Sequence, residues 1–181
     1  MCDLEYFSNI TGSKETFETA TTSSGLKKKV VDGDGLGTEG TDELSGIKAL
    51  VGLYLTGTQK DGTTVYKNEA LQAFNYAPIE EWDTSEVKDM SWLFSSELHG
   101  DRVKEFNADI STKTINEGED NEYIAWDTSA VTNMSSMFKS SVDFNQDISN
   151  WNIQKVTNMD NMFYKAEEFN QDISTKTINK G

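Results

Sequence analysis

The chain has 181 residues, which suits one domain or one domain with an appendage and is long enough to bury a core. Sixteen Lys and Arg stand against 31 Asp and Glu, and the resulting net charge of −15 argues against a nucleic acid or an anionic membrane surface as partner. No apolar run reaches the ~18 residues of a membrane span. The first residues lack the basic and apolar regions of a signal peptide, and the single cysteine, Cys2, leaves no internal disulfide and no cysteine-based metal site.

In chain order, residues 1–41 read as an acidic, flexible segment. Cys2 has two readings: a chance cysteine, or the lipid-bearing position of a mature bacterial lipoprotein behind an added Met. The stretch "DGDGLGTEGTDE", 32–43, raises the question of calcium, because Asp32, Asp34, Gly37 and Glu43 fall at positions 1, 3, 6 and 12 of an EF-hand loop. Leu36 occupies a position that normally supplies oxygen, Glu39 one that is usually apolar, and "TATTSSGLKKKVV" before it makes a poor helix. An acidic linker fits better, so no cofactor is expected, and calcium is the one to test.

Residues 42–81 read as a helical capping region. In "TDELSGIKALVGLYL", Leu44, Ile47, Val51 and Leu55 recur at helical spacing and predict an amphipathic helix. "QKDGTTVYK", 59–67, holds an Asp-Gly turn, Asn68 can cap a short helix, and Pro78 breaks the chain shortly before Trp82.

From Trp82 the chain repeats itself. Trp126 and Trp151 are 25 positions apart, and at the same offset Val131 matches Val156, Met134 matches Met159, and Met137 matches Met162. Phe138 matches Phe163, Phe144 matches Phe169, and Ile148 matches Ile173. An earlier copy begins at Trp82, 44 positions before Trp126, and carries two insertions, after Phe94 and after Ile110. The second insertion opens with "STKTINEG" at 111–118, and "STKTINKG" closes the chain at 174–181. Residues 82–181 are thus three copies of one unit. Val131, Met134 and Phe138 have helical spacing, with Thr128 or Ser129 as cap, while "FNQDI" alternates like a strand, Phe144, Gln146 and Ile148 inward and Asn145 and Asp147 outward. Units this small bury an apolar face only by stacking on one another, so Trp82, Trp126, Trp151 and the matched Met, Phe and Ile positions are the expected core.

"WDTSAVTNMSSMF…FNQDISNW" resembles the repeat of BspA-like leucine-rich-repeat surface proteins, and the resemblance spans Trp82 to Gly181. It implies an α/β repeat solenoid, a right-handed stack of short strands and helical turns exposed at a cell surface or outside the cell. It also implies a non-enzymatic role in adhesion, binding a protein or glycan, with no catalytic residue to carry over. The third copy departs from the pattern with Asn152, Ile153 and Gln154 for Asp-Thr-Ser, the first with Lys88, Asp89 and Ala108.

The candidate ligand face is the outward columns Asn107, Asn145, Asn170 and Asp109, Asp147, Asp172. Stacked carboxylates about 4.8 Å apart repel unless donors, cations or a ligand satisfy them. The other reading makes both columns ladders that hydrogen-bond turn backbone, as also expected for Asn133 and Asn158. Trp92 stands where the other copies have Ser136 and Asn161, so it is either covered by the N-terminal helix or exposed as a binding anchor. His99 lies alone in the first insertion and reads as a solvated loop residue. No nucleophile, phosphate loop or metal pattern stands out; alternatives to ligand binding are end-to-end self-association through the C-terminal unit and a calcium-dependent module.

Overall fold

The computed structural model describes residues 46–55 and 77–173. Cys2, the acidic loop at 32–43, the Asp-Gly turn at 59–67, the helix expected after Asn68 and the tail at 174–181 lie outside the described residues.

Helix α1, Gly46–Leu55, buries Ile47, Leu50, Val51, Tyr54 and Leu55. Those residues share one face at i, i+3, i+4, i+7 and i+8. The helix lies against the first repeat unit, where the Tyr54 ring meets Phe106 edge-on at 6.1 Å. Lys48 is also buried, and its ammonium is held 3.4 Å from Ser91 Oγ and 3.9 Å from the Asp89 carboxylate. A buried cation is tolerable only with such partners. Pro78 then runs extended into a 3-10 turn, Ile79–Glu81, which leads to Trp82.

The expected α/β solenoid of strands and helices is not what the units form. Among the described residues there is one sheet, the two-stranded antiparallel pair β1 (Lys113–Ile115) and β2 (Tyr123–Ala125), and it lies in the second insertion rather than at any "FNQDI". The expected helical segment is instead a run of overlapping turns: Met137 N–H donates to the Met134 carbonyl, Lys139 to Ser136, and Ser141 to Phe138. Ser136 and Ser140 have φ of 55° and 63°, a left-handed conformation that no right-handed helix accommodates. The intervening N–H groups point to the next unit. Met90, Trp92, Phe94 and Ser96 donate to the carbonyls of Asn133, Ser135, Met137 and Lys139 at 2.8–3.0 Å. Met134, Ser136, Phe138 and Ser140 in turn donate to Asn158, Asp160, Met162 and Tyr164 at 2.8–2.9 Å. Helical periodicity misled because half of the amides that a helix would use internally are spent between units. Only the single-residue parallel bridges Asp89–Asn133–Asn158 have sheet character there.

Ring stacks fill the space between these rungs. Phe94, Phe138 and Phe163 form one column with centroids 5.5 and 5.6 Å apart, and Phe106, Phe144 and Phe169 form another at 5.8 Å. Within each unit the two columns touch at 3.9–4.0 Å. Trp82, Trp126 and Trp151 make a third column at 6.1 and 6.3 Å, each indole N–H donating to a buried carbonyl, of Ala77, Ile79 and Ile110 respectively. Near-parallel rings at this spacing are worth ~0.5–1.5 kcal/mol per pair beyond their buried area.

Burial is graded along the stack. Met134 is fully buried and Ile148 is 6% exposed, but their counterparts Met159 and Ile173 are 39% and 49% exposed, and Phe163 and Phe169 are half-buried. Met159 and Ile173 are therefore not core residues, since no described residue covers the outer side of the third unit.

The first insertion is ordered on the core. Ser95 caps the short helix α2, Ser96–His99, accepting a hydrogen bond from Glu97 N–H, and a 3-10 turn over Gly100–Val103 buries Val103. His99 is 2% exposed, contrary to the solvated loop expected of it, because this fold-back turns its ring inward, where Nε2 meets the Leu93 carbonyl at 3.1 Å.

Candidate functional site

The Asn column is spent on the stack itself. Asn145 N–H donates to Asn107 Oδ1 at 3.0 Å, and the Gln146 amide donates to the Asn107 side chain and carbonyl at 2.9 and 3.0 Å. One unit later, Asn170 N–H donates to Asn145 Oδ1 at 3.1 Å, and the Gln171 amide donates to the side chain and carbonyl of Asn145 at 2.8 and 2.9 Å. A side-chain amide thus takes the place of a strand partner, which is why "FNQDI" carries no strand. The Asp column closes local turns: Asp109 Oδ1 accepts from Ser111 N–H, and Asp147 Oδ1 from Ser149 N–H. Asp109 also accepts from the Ser111 hydroxyl and pairs with Lys113 at 3.1 Å. These hydrogen bonds, the Ser111 hydroxyl first, hold its carboxyl below the usual range against a smaller opposing effect of burial. Asp172 is exposed and has a partner of its own.

The same economy runs along the other polar positions. Asp83, Asp127 and Asn152 each accept from the N–H two residues on, as do Asp89, Asn133 and Asn158. Thr128 did not become a helix cap; its hydroxyl accepts from Asn152 N–H at 2.8 Å and donates to the Asn152 carbonyl at 3.2 Å, stitching the second unit to the third. Thr84 does similar work on the Asp127 carbonyl, while the third unit has Ile153 at that position. Among the described residues no three His, Cys, Asp or Glu side chains come together as a metal group.

Trp92 lies on a different strip. It is half-buried with φ 63°, and the Lys139 ammonium sits 5.2 Å from its ring centroid. The same ammonium is 5.7 Å from the ring of Tyr164, which is 50% exposed, and it pairs with Glu97. Two aromatic faces from the first and third units therefore flank one cation supplied by the second. Sequence reasoning missed Lys139 and Tyr164. They occupy the column that begins with the buried Ser95, and the change of residue type from unit to unit is the signal that side chains in this column need not match for the units to stack.

The second insertion is pinned to the stack by polar contacts. Thr112 and Asn150 exchange hydrogen bonds, and the Tyr123 hydroxyl donates to the Glu81 carbonyl at 2.7 Å. Burial raises the Tyr123 phenol well above its ordinary pKa, with Glu81 and Asp83 adding to it. Tyr54 is pushed up to about 12 by burial and then by Glu80.

This geometry defines a protein of stacked, turn-rich units whose polar side chains tie each unit to the next. The chain belongs to the family described as Mycoplasma protein of unknown function, DUF285, which matches residues 63–180, well over half of its length. No curated protein and no solved structure matches it.

Proposed function

We propose that this chain is a non-enzymatic recognition module, displayed at a cell surface or outside the cell, that binds a protein or glycan through the flank around Trp92. The observation that carries this reading is the pair of aromatic faces, Trp92 and Tyr164, on either side of the Lys139 ammonium. Such a strip combines apolar ring surface with a positive charge and neighbouring hydrogen-bonding groups, the chemistry that sugar rings and peptide side chains both exploit. The Asn and Asp columns are better read as ladders, because their side chains already satisfy backbone groups. Surface display and adhesion rest on the resemblance to BspA-like proteins.

The test is a screen of immobilised glycans and extracellular proteins with the chain and with Trp92→Ala and Tyr164→Ala variants. Loss of a captured ligand in both variants, with unchanged melting temperature, supports the flank. Binding that survives both changes places recognition elsewhere.

A further inference from the structure

We infer that the flank around Trp92 takes an acidic sugar, a uronic or sialic acid with one carboxylate, whose ring lies on Tyr164 and whose charge pairs with Lys165. This rests on the reading of that flank as the recognition surface and names the ligand class it recognises. Two lysines approach the Tyr164 ring, Lys139 at 5.7 Å and Lys165 at 5.5 Å from its centroid. Their charges are not equivalent. Lys139 is half-buried and pairs with Glu97, so its charge is matched within the protein. Lys165 is exposed and pairs with no carboxylate among the described residues. The flank therefore offers one uncompensated positive charge in a chain whose net charge is −15.

The surface beside that charge is set by the stack. One ammonium, that of Lys139, reaches Trp92 in the first unit and Tyr164 in the third and holds both rings. Tyr164 is still 50% exposed. The negative face of an aromatic ring attracts the polarised C–H bonds of a pyranose as it attracts an ammonium. Asn161 belongs to the same turn, its carbonyl accepting from Tyr164 N–H at 3.0 Å. Its exposed side-chain amide has no partner among the described residues and suits a sugar hydroxyl. Trp92 adds a second sign. Its φ of 63° matches those of Ser136 and Asn161, 55° and 56°, at the same position of the other units. Asn tolerates this left-handed conformation and a bulky aromatic does so poorly, so Trp92 carries a strain that stacking does not require.

The count of charges selects the ligand. A polyanion or an acidic peptide would set further negative charge against Glu97, and against Glu167 and Glu168, two and three residues past Lys165. A uronic or sialic acid carries its carboxylate on the ring itself, so one residue meets both the ammonium and the aromatic face.

The experiment titrates methyl glucuronide and methyl sialoside, each beside its uncharged methyl ester, into the isotope-labelled full chain at low ionic strength. NMR shifts at Asn161, Tyr164 and Lys165 should saturate, with at least one acid binding about threefold tighter than its ester. Lys165→Gln should remove that preference, while Lys155→Gln, which changes net charge equally at another exposed lysine of the third unit, should keep it. Tyr164→Ala should abolish binding of acid and ester alike. Equal binding of acid and ester, no saturable shift at these residues, or a preference lost equally in Lys155→Gln overturns the proposal. An oligoglutamate peptide that shifts the same residues at lower concentration than either sugar overturns it in favour of an acidic peptide. The flank itself outlives these outcomes if Trp92→Ala and Tyr164→Ala both abolish capture in the wider screen, and falls with the proposal if capture survives both.

Discussion

The ring of Phe138 lies 3.9 Å from that of Phe144, centroid to centroid and within 8° of parallel, and this pair is the middle rung of two phenylalanine columns. Both rings are fully buried and stacked on neighbours in the first and third units. Phe138→Ala is expected to cost about 3–5 kcal/mol, since neighbouring units tied by backbone rungs cannot collapse into the void. Phe163→Ala, in a half-buried position, is expected to cost roughly half as much. Urea unfolding of the two variants checks the ordering, and equal losses would mean that the third unit is as well packed as the second.

Thr128 joins two units through one hydroxyl. Thr128→Val keeps the shape but removes the acceptor of the part-buried bond from Asn152 N–H, so a loss of about 0.5–1.5 kcal/mol is expected in thermal or urea unfolding. A loss within error would show that water replaces the hydroxyl.

Asn145 occupies the centre of the amide ladder, donating to Asn107 and accepting from Asn170 and Gln171. Asn145→Ala is expected to destabilise by about 1–2 kcal/mol. It should also speed amide exchange at Asn170, the residue that loses its acceptor, while Met134 exchange, on the far side of the unit, stays unchanged.

His99 makes stability depend on pH. Burial pushes its pKa down to about 4, against a smaller upward effect of the bond to Leu93, and Arg102 adds a still smaller push down. Its Nδ1 is buried without a partner among the described residues. The unfolded chain, with an ordinary His pKa near 6.5, binds the proton more readily than the folded chain, so this contribution is whole above about pH 6.5 and is lost as the pH falls toward 4. The full loss is on the order of 3 kcal/mol. Unfolding measured from pH 7 to pH 4.5 should show that slope, and His99→Gln, which does not titrate, should flatten it. Parallel pH profiles for the two proteins would assign the slope to the carboxylates.

Much of the stack was legible in the sequence because identical residues at one offset have to meet when units stack. The Trp and Phe columns and the buried Met134 follow from the 25-residue match together with the earlier copy that begins at Trp82 and carries two insertions, as does the buried face of α1 from its spacing. The path of the backbone between those residues was not legible. Val131, Met134 and Phe138 are spaced as on a helix, yet a chain whose alternate amides are drawn to a neighbouring unit turns every few residues instead.

The sequence by itself therefore determined which side chains share a column, since repetition makes that a matter of counting. Tertiary structure decided what those columns do. The Asn and Asp residues became ladders because the adjacent unit offered backbone groups at hydrogen-bond distance, and His99 was buried because α2 folds inward. Met159 and Ile173 remained exposed because burial of a repeat position depends on a neighbour on each side, a property of place in the stack that two identical stretches of sequence cannot express.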